Sequence, residues 1–192
     1  TMWFCLTVLK PHLAGVAGEA PILLYWADEE RVLAVNGQGP APGAATIDWF
    51  KEHGYPLIPE DGFLPAVVPG AFDAWLTLLE EYGTFSLGEV MEPAIRLAGE
   101  GFPVYPALRR AVERCAERFK AEWPVSAEIY LPGGEVPRVG FILRNPDWAR
   151  TFEKVAEAER REGRWGRSAG LDAARDYFYP VSYTHLTLPT KA

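Results

Sequence analysis

Few residues in this sequence have the type and spacing for chemistry, and the best pattern lacks its structural context. Residues 166–170, Gly-Arg-Ser-Ala-Gly, match the G-x-S-x-G pattern of a serine nucleophile elbow. That elbow needs a buried strand just before the serine. Here the preceding residues 157–165 are highly charged and predict a helix, and the only downstream histidine is His185. We therefore expect Ser168 to cap the next helix rather than to act as a nucleophile.

The other candidate side chains favour structural roles. Six further side chains lack a partner at the spacing of metal ligands or of an acid–base pair: His12, His53, Glu60, Asp61, Cys5 and Cys115. We expect the histidines and the two carboxylates in loops, and the two cysteines in the core, one on a strand and one on a helix. On motifs alone, the sequence predicts no catalytic residue, no metal site and no cofactor.

Composition excludes two classes of partner. The 192 residues carry 19 basic and 26 acidic side chains, a net charge of −7, with an isoelectric point near 5.1. A nucleic-acid partner would need a basic surface, so we predict none. The most apolar stretch, residues 63–79, is interrupted by Pro65, Pro69 and Asp73. We therefore predict no membrane segment.

The order of predicted elements indicates an α+β fold with strands first and helices after. Residues 3–9, 21–27 and 31–35 are apolar runs of strand length, and the last two predict a hairpin. Because these runs are continuously apolar, we expect their sheet to be covered on both faces. Residues 36–42 are a Gly/Pro loop.

Helical signals occupy the rest of the chain. Helices are predicted at residues 45–52, from Gly70 to about residue 83, at 106–120, at 146–162 and at 168–179. Ser86 and Glu89 form a capping-box pattern. We expect Pro93 to divide the helix that follows into two, and Asn145 to cap the helix that opens with Pro146.

The ends of the sequence lead us to divide it at residue 179. It opens on Thr1 with an apolar segment, and we expect the natural protein to begin upstream. Residues 180–192 resemble the translation of a transposase-type sequencing adapter. We predict a domain over residues 1–179 and a non-native tail over 180–192.

Several ordered motifs resemble one family. They are VPGAFDAW at 68–75, YGTFSLGEV at 82–90, EPAIRLA at 92–98, EGFPV at 100–104, RNPDWART at 144–151 and ARDYFY at 174–179. Their series resembles the large subunit of γ-glutamyltransferases (γ-glutamyltranspeptidases, glutathione hydrolases). The resemblance covers most of residues 1–179.

The resemblance implies a fold and a chemistry. Members of the family are N-terminal-nucleophile hydrolases with a four-layer αββα sandwich, of which this chain would be a part. A precursor cleaves itself, and the new N-terminal threonine of the small subunit attacks the γ-glutamyl amide. Thr184, Thr187 and Thr190 match no such threonine. We therefore expect the chain to be inactive without a missing small subunit, its partner, and to act with it on a small-molecule acyl amide.

One position departs from the family pattern. The family's large subunit supplies an arginine that binds the α-carboxylate of the glutamyl group. In the segment that resembles it here, residues 36–42, Gln38 stands at the position of that arginine. An amide cannot form the charged, bidentate fork of a guanidinium. Hydrogen bonds to charged groups contribute about 1.5–3 kcal/mol, so γ-glutamyl affinity would fall by about one to two decades. Gln38 is a substrate-binding candidate or a plain loop residue.

Three functions remain open at this point. The chain could belong to a γ-glutamyltransferase-like amidohydrolase, to an acylase of the same fold such as one that removes side chains from β-lactams, or to a non-catalytic scaffold. Gln38 favours the acylase more than an arginine would.

Overall fold

The structure is a computed structural model that describes residues 1–179, so the predicted tail over 180–192 lies outside the described residues. Its helices are α1 (Met2–Leu9), α2 (Ile47–Glu52), α3 (Ala71–Tyr82), α4 (Leu87–Glu100), α5 (Pro106–Glu122), α6 (Pro124–Tyr130), α7 (Pro146–Glu162) and α8 (Arg167–Asp176). Its strands are β1 (Ala20–Trp26), β2 (Arg31–Gly37), β3 (Phe102–Pro103) and β4 (Ile142–Leu143).

The chain folds as two units. Among the described residues, one contains Thr1–Ala14 together with residues 82–179, and it holds most of the helices and the short β3–β4 pair. The other is Gly15–Glu81, which holds the β1–β2 hairpin, α2 and nearly all of α3. The α+β class predicted from the sequence is confirmed.

The first segment is a helix, so the strand predicted over residues 3–9 is wrong. In α1 the hydroxyl of Thr7 donates to the carbonyl of Phe4 at 2.8 Å, and both residues are buried. The ring of Phe4 meets the ring of Phe152 on α7 edge to face, with centroids 5.8 Å apart. A short apolar run has no periodicity that separates a strand from a buried helix, and tertiary packing decides between them. Cys5 accordingly lies on a helix, half-buried.

Helix α4 is the centre of the larger unit and packs against α1 and α7. Its capping box is formed as predicted, with the Ser86 hydroxyl accepting from the Glu89 amide at 3.2 Å. Pro93 does not divide it, so that prediction is wrong. Burial of Leu87 and Met91, which stabilises by about 1.5–3 kcal/mol for each side chain, offsets the roughly 3 kcal/mol cost of an internal proline.

The predicted hairpin is present, but the described residues cover only one of its faces. β1 and β2 pair antiparallel with Leu23 opposite Ala34 and Tyr25 opposite Val32. Leu23, Tyr25 and Val32 are exposed by 78%, 60% and 67%, and we call these three residues the open face. The other face is half-buried. The expectation of a sheet covered on both faces is therefore not met by the described residues.

The remaining predicted helices are observed with small shifts. Thr46 caps α2, and Asn145 caps α7 by accepting from the Trp148 amide at 3.0 Å. Helix α8 begins at Arg167 with Gly166 as its N-cap, so Ser168 lies inside the helix and does not cap it. Among residues 1–179, every helix is too short or too polar to cross a membrane.

Candidate functional site

Gln38 lies at the first position after β2, and it is paired with a carboxylate. Its Nε2 donates to Oε2 of Glu19 at 2.6 Å, and both side chains are exposed. The hairpin explains the pairing: Ala20 is opposite Gly37, so Glu19 and Gln38 are the next facing positions. The backbone N–H of Gln38 also donates to Oδ1 of Asn36 at 3.3 Å, which restrains the loop next to the strand.

Three glycines let other backbone segments approach the Gln38 loop closely. A Cβ on Gly39 would overlap the carbonyl oxygen of Val68. A Cβ on Gly37 would lie 2.9 Å from the Cβ of Ala74, and one on Gly70 would lie 2.7 Å from the Gly39 nitrogen. Because Cβ contacts under 3.0 Å are essentially never found in proteins, side chains are excluded at all three positions.

Backbone hydrogen bonds hold the same segments together. The Val68 amide donates to the Pro40 carbonyl at 3.0 Å. The amides of Gly70 and Ala71 both donate to the Gly18 carbonyl, at 3.1 and 3.0 Å. Residues 18–19, 37–40 and 68–71 therefore form one fixed arrangement at the start of α3, which we call the glycine junction. It presents Gln38 and Glu19 on a backbone that has little freedom to move.

The chemistry of this pair differs from that of an arginine. A guanidinium presents five N–H donors and a positive charge to a carboxylate. The Gln38 amide has two N–H donors, and one of them is directed at Glu19. The groups that remain available to a ligand are one N–H and the oxygen of the Gln38 amide, and the Glu19 carboxylate. Acceptors therefore outnumber donors, and the local charge is negative. Such a pair suits a ligand group that donates hydrogen bonds.

The structure places the other sequence candidates in structural surroundings. Ser168 follows helix α7 and the turn Gly163–Trp165, not a strand, which removes the basis for a nucleophile elbow. His53 stacks on Trp49 with centroids 4.1 Å apart. The ring of His12 lies 6.2 Å from that of Tyr105, and burial, with help from nearby Lys10 and Arg114, lowers the pKa of His12.

The remaining candidates form no ligand cluster. Glu60 and Asp61 are exposed, and Cys115 is half-buried on α5. Across residues 1–179, no group of three or more histidine, cysteine, aspartate or glutamate side chains is placed to hold a metal ion.

Two acidic residues with hydrogen-bond partners far along the chain were missed from the sequence. Glu19 belongs to no motif, but a hairpin register extended by one position would have placed it opposite Gln38. Glu159 falls within a charged run on α7 that predicts only a solvated surface. Its Oε1 accepts from the Leu87 amide at 2.7 Å and its Oε2 from the Gly88 amide at 3.1 Å.

Glu159 also lines a cavity of about 540 Å³ between α4, α7 and α8. Three of the four charged side chains that line this cavity, those of Glu89, Glu159 and Arg167, bind backbone groups of the fold. Arg167 donates to the Phe85 carbonyl at 2.9 Å, and Glu159 binds the first turn of α4. We therefore assign the candidate functional site to the glycine junction and not to this cavity.

Comparison with known proteins identifies relatives along most of the chain. Residues 1–166 match the sequence pattern of the gamma-glutamyltranspeptidase family. The chain is 34% identical to the glutathione hydrolase-like YwrD proenzyme of Bacillus subtilis (strain 168), covering 81% of this chain and 29% of that protein. It is 33% identical to the acylase ACY 1 proenzyme of Pseudomonas sp. (strain V22), covering 91% and 32%.

A solved structure has the same fold. The structure of LmbA2991T421A matches with a TM-score of 0.86 and 43% identity, over 91% of this chain and 30% of that one. The described residues thus form part of the N-terminal-nucleophile hydrolase fold, as predicted, and the chain spans about a third of the length of its relatives. From the sequence pattern and the fold together, the chain belongs to the gamma-glutamyltranspeptidase family.

Proposed function

We propose that this chain is the large-subunit part of a proenzyme that hydrolyses or transfers the acyl group of a small-molecule amide. In this proposal a small subunit from the same precursor supplies the nucleophilic threonine. The observation that carries it is the family match over residues 1–166, supported by fold similarity to a solved relative at 43% identity. The large-subunit part contributes the wall of the acyl-donor pocket at the glycine junction, with Gln38 as a substrate-binding residue.

The experiment needs the complete proenzyme that contains this chain. Purified proenzyme is incubated and followed by denaturing electrophoresis, because maturation splits one band into two. The processed protein is then assayed with chromogenic anilides of several acyl groups. Two fragments together with release of the aniline support the proposal. A proenzyme that processes but releases no aniline from any anilide contradicts an amidase, and one that never processes contradicts the family's chemistry in this protein.

A second function has a specific observation in its favour. The acylase ACY 1 proenzyme is nearly as similar as the glutathione hydrolase-like relative. The family resemblance also predicts that Gln38 stands where a γ-glutamyl enzyme would carry an arginine. An acylase that acts on a donor without an α-carboxylate has no need of that arginine. Comparing γ-glutamyl anilide with acyl β-lactams in one assay separates the two, because each function predicts turnover of only one class.

A further inference from the structure

We propose that Glu19 is a specificity-determining residue that excludes acyl donors with a carboxylate at the Gln38 position and favours donors with an ammonium or another hydrogen-bond donor there. This inference rests on the proposed function, because it concerns the donor pocket of that same site. It goes beyond the loss of an arginine, since Gln38 alone would leave the position neutral.

The geometry fixes the chemistry that the pair offers. Glu19 accepts the Gln38 N–H at 2.6 Å, which turns the amide so that its nitrogen faces the carboxylate. Within the part of the chain that the structure describes, no hydrogen bond is donated to Oε1 of Gln38, so this oxygen is available to a ligand. A ligand therefore meets acceptors from both side chains, and a carboxylate would meet one remaining N–H beside a negative charge.

The glycine junction fixes the backbone on which both side chains stand. Gly37 and Gly39 flank Gln38 and pack against neighbouring main chain with no space for a Cβ, and Gly18 precedes Glu19 while its carbonyl accepts two amides. Neither residue can swing away by a simple loop movement. A donor that brought a carboxylate to this place would have to break the pair without gaining a positive partner.

Charge then decides between donors of the same shape. A unit charge a few ångströms away alters the affinity of a charged ligand several-fold even in solvated surroundings. The negative charge raises the affinity for a cation and lowers the affinity for an anion, so the ratio of the two affinities changes more than either affinity alone.

Three anilides of one chain length test the inference in the complete processed enzyme. The γ-glutamyl anilide carries both an α-amine and an α-carboxylate, the 4-aminobutyryl anilide keeps only the amine, and the glutaryl anilide keeps only the carboxylate. We expect kcat/KM in the order 4-aminobutyryl, γ-glutamyl, glutaryl. The discrimination should lie in KM, because the pair touches the donor away from the bond that is cleaved.

Glu19→Gln removes the charge and keeps the shape and a hydrogen-bond acceptor. We expect the ratio of kcat/KM for 4-aminobutyryl over glutaryl anilide to fall about tenfold, which equals about 1.4 kcal/mol. Glu30→Gln makes the same change of charge at the opposite end of the hairpin and should leave the ratio within twofold. The double variant Glu19→Gln/Gln38→Arg should raise glutaryl turnover further, because an arginine there is no longer neutralised by Glu19.

The outcomes separate the inference from the proposed function. If the wild type cleaves none of the three anilides but turns over other acyl amides, only the inference is overturned. If it turns over no acyl amide, the proposed function fails and the inference fails with it. If the wild type is active but Glu19→Gln leaves the ratio unchanged, or lowers kcat equally for all donors, Glu19 is structural and only the inference is overturned. If the ratio of kcat/KM for 4-aminobutyryl over glutaryl anilide falls equally in Glu19→Gln and Glu30→Gln, it reports the general surface charge, and the inference is overturned as well.

Discussion

Replacing Glu159 by alanine should loosen the first turn of α4 and leave the rest of that helix folded. The carboxylate accepts the amides of Leu87 and Gly88, at 2.7 and 3.1 Å, which otherwise have no partner inside the helix. Hydrogen bonds to charged groups contribute about 1.5–3 kcal/mol, and a half-buried site places each bond near the lower value. A loss of about 1.5 kcal/mol for each bond corresponds to roughly tenfold faster amide hydrogen exchange at residues 87 and 88.

Hydrogen exchange of the complete proenzyme, read residue by residue, measures this effect. Glu159→Gln keeps a neutral acceptor and should give an intermediate rate. Glu157→Ala removes an exposed carboxylate two residues away on the same helix and serves as the control, with exchange at 87 and 88 unchanged. Equal exchange in Glu159→Ala and wild type would show that the carboxylate does not hold the first turn of α4. Acceleration spread evenly over all helices would also contradict a local role, because it indicates global destabilisation.

Three further outcomes are expected. Gly39→Ala forces a Cβ into a neighbouring carbonyl and should lower the unfolding free energy of the proenzyme by about 2–4 kcal/mol in denaturant titrations, whereas Gly43→Ala, with open space around it, should not. The hydrogen bonds from Ser86 lower the pKa of Glu89. The Glu89 carboxylate therefore contributes to folding stability above the ordinary glutamate pKa, and this contribution is lost as the pH falls through the lowered pKa. The stability difference between wild type and Glu89→Gln should therefore shrink on acidification, and a constant difference would contradict this. Residues 1–179 alone should bind a hydrophobic dye through the open face; a monomer with a cooperative melt and no dye binding would disprove it.

Helix ends were predictable where a cap or a proline marks them locally. Thr46, Ser86 and Asn145 each accept from an amide three residues onward, so a short stretch of sequence contains both partners. The errors came where distant residues decide. Residues 3–9 become a helix because Phe4 packs on α7, about 150 residues later, and Pro93 is tolerated because the buried side of α4 outweighs its cost.

Of the two residues of the candidate site, the sequence alone indicates Gln38 and not Glu19. The resemblance to a family pattern points to Gln38, whose role in binding stays a prediction. Glu19 has no pattern of its own, and its role depends on the hairpin register and on a side-chain direction that composition does not contain. The glycines of the junction read in sequence as an ordinary loop. Only the close approach of residues 68 and 70 shows why a side chain is excluded there.

The contact of Glu159 with two amides of α4 also fixes the rotation of α7 about its axis relative to α4. Together with the capping box, it gives a partner to every amide from Ser86 to Glu89. Each residue advances a helix by about 100°, so deleting one residue of α7 before position 159 would turn the carboxylate away from α4. Substitutions on the exposed side of α7 leave this contact intact, whereas insertions and deletions do not. We expect natural length variation among relatives to avoid the stretch between residues 146 and 159.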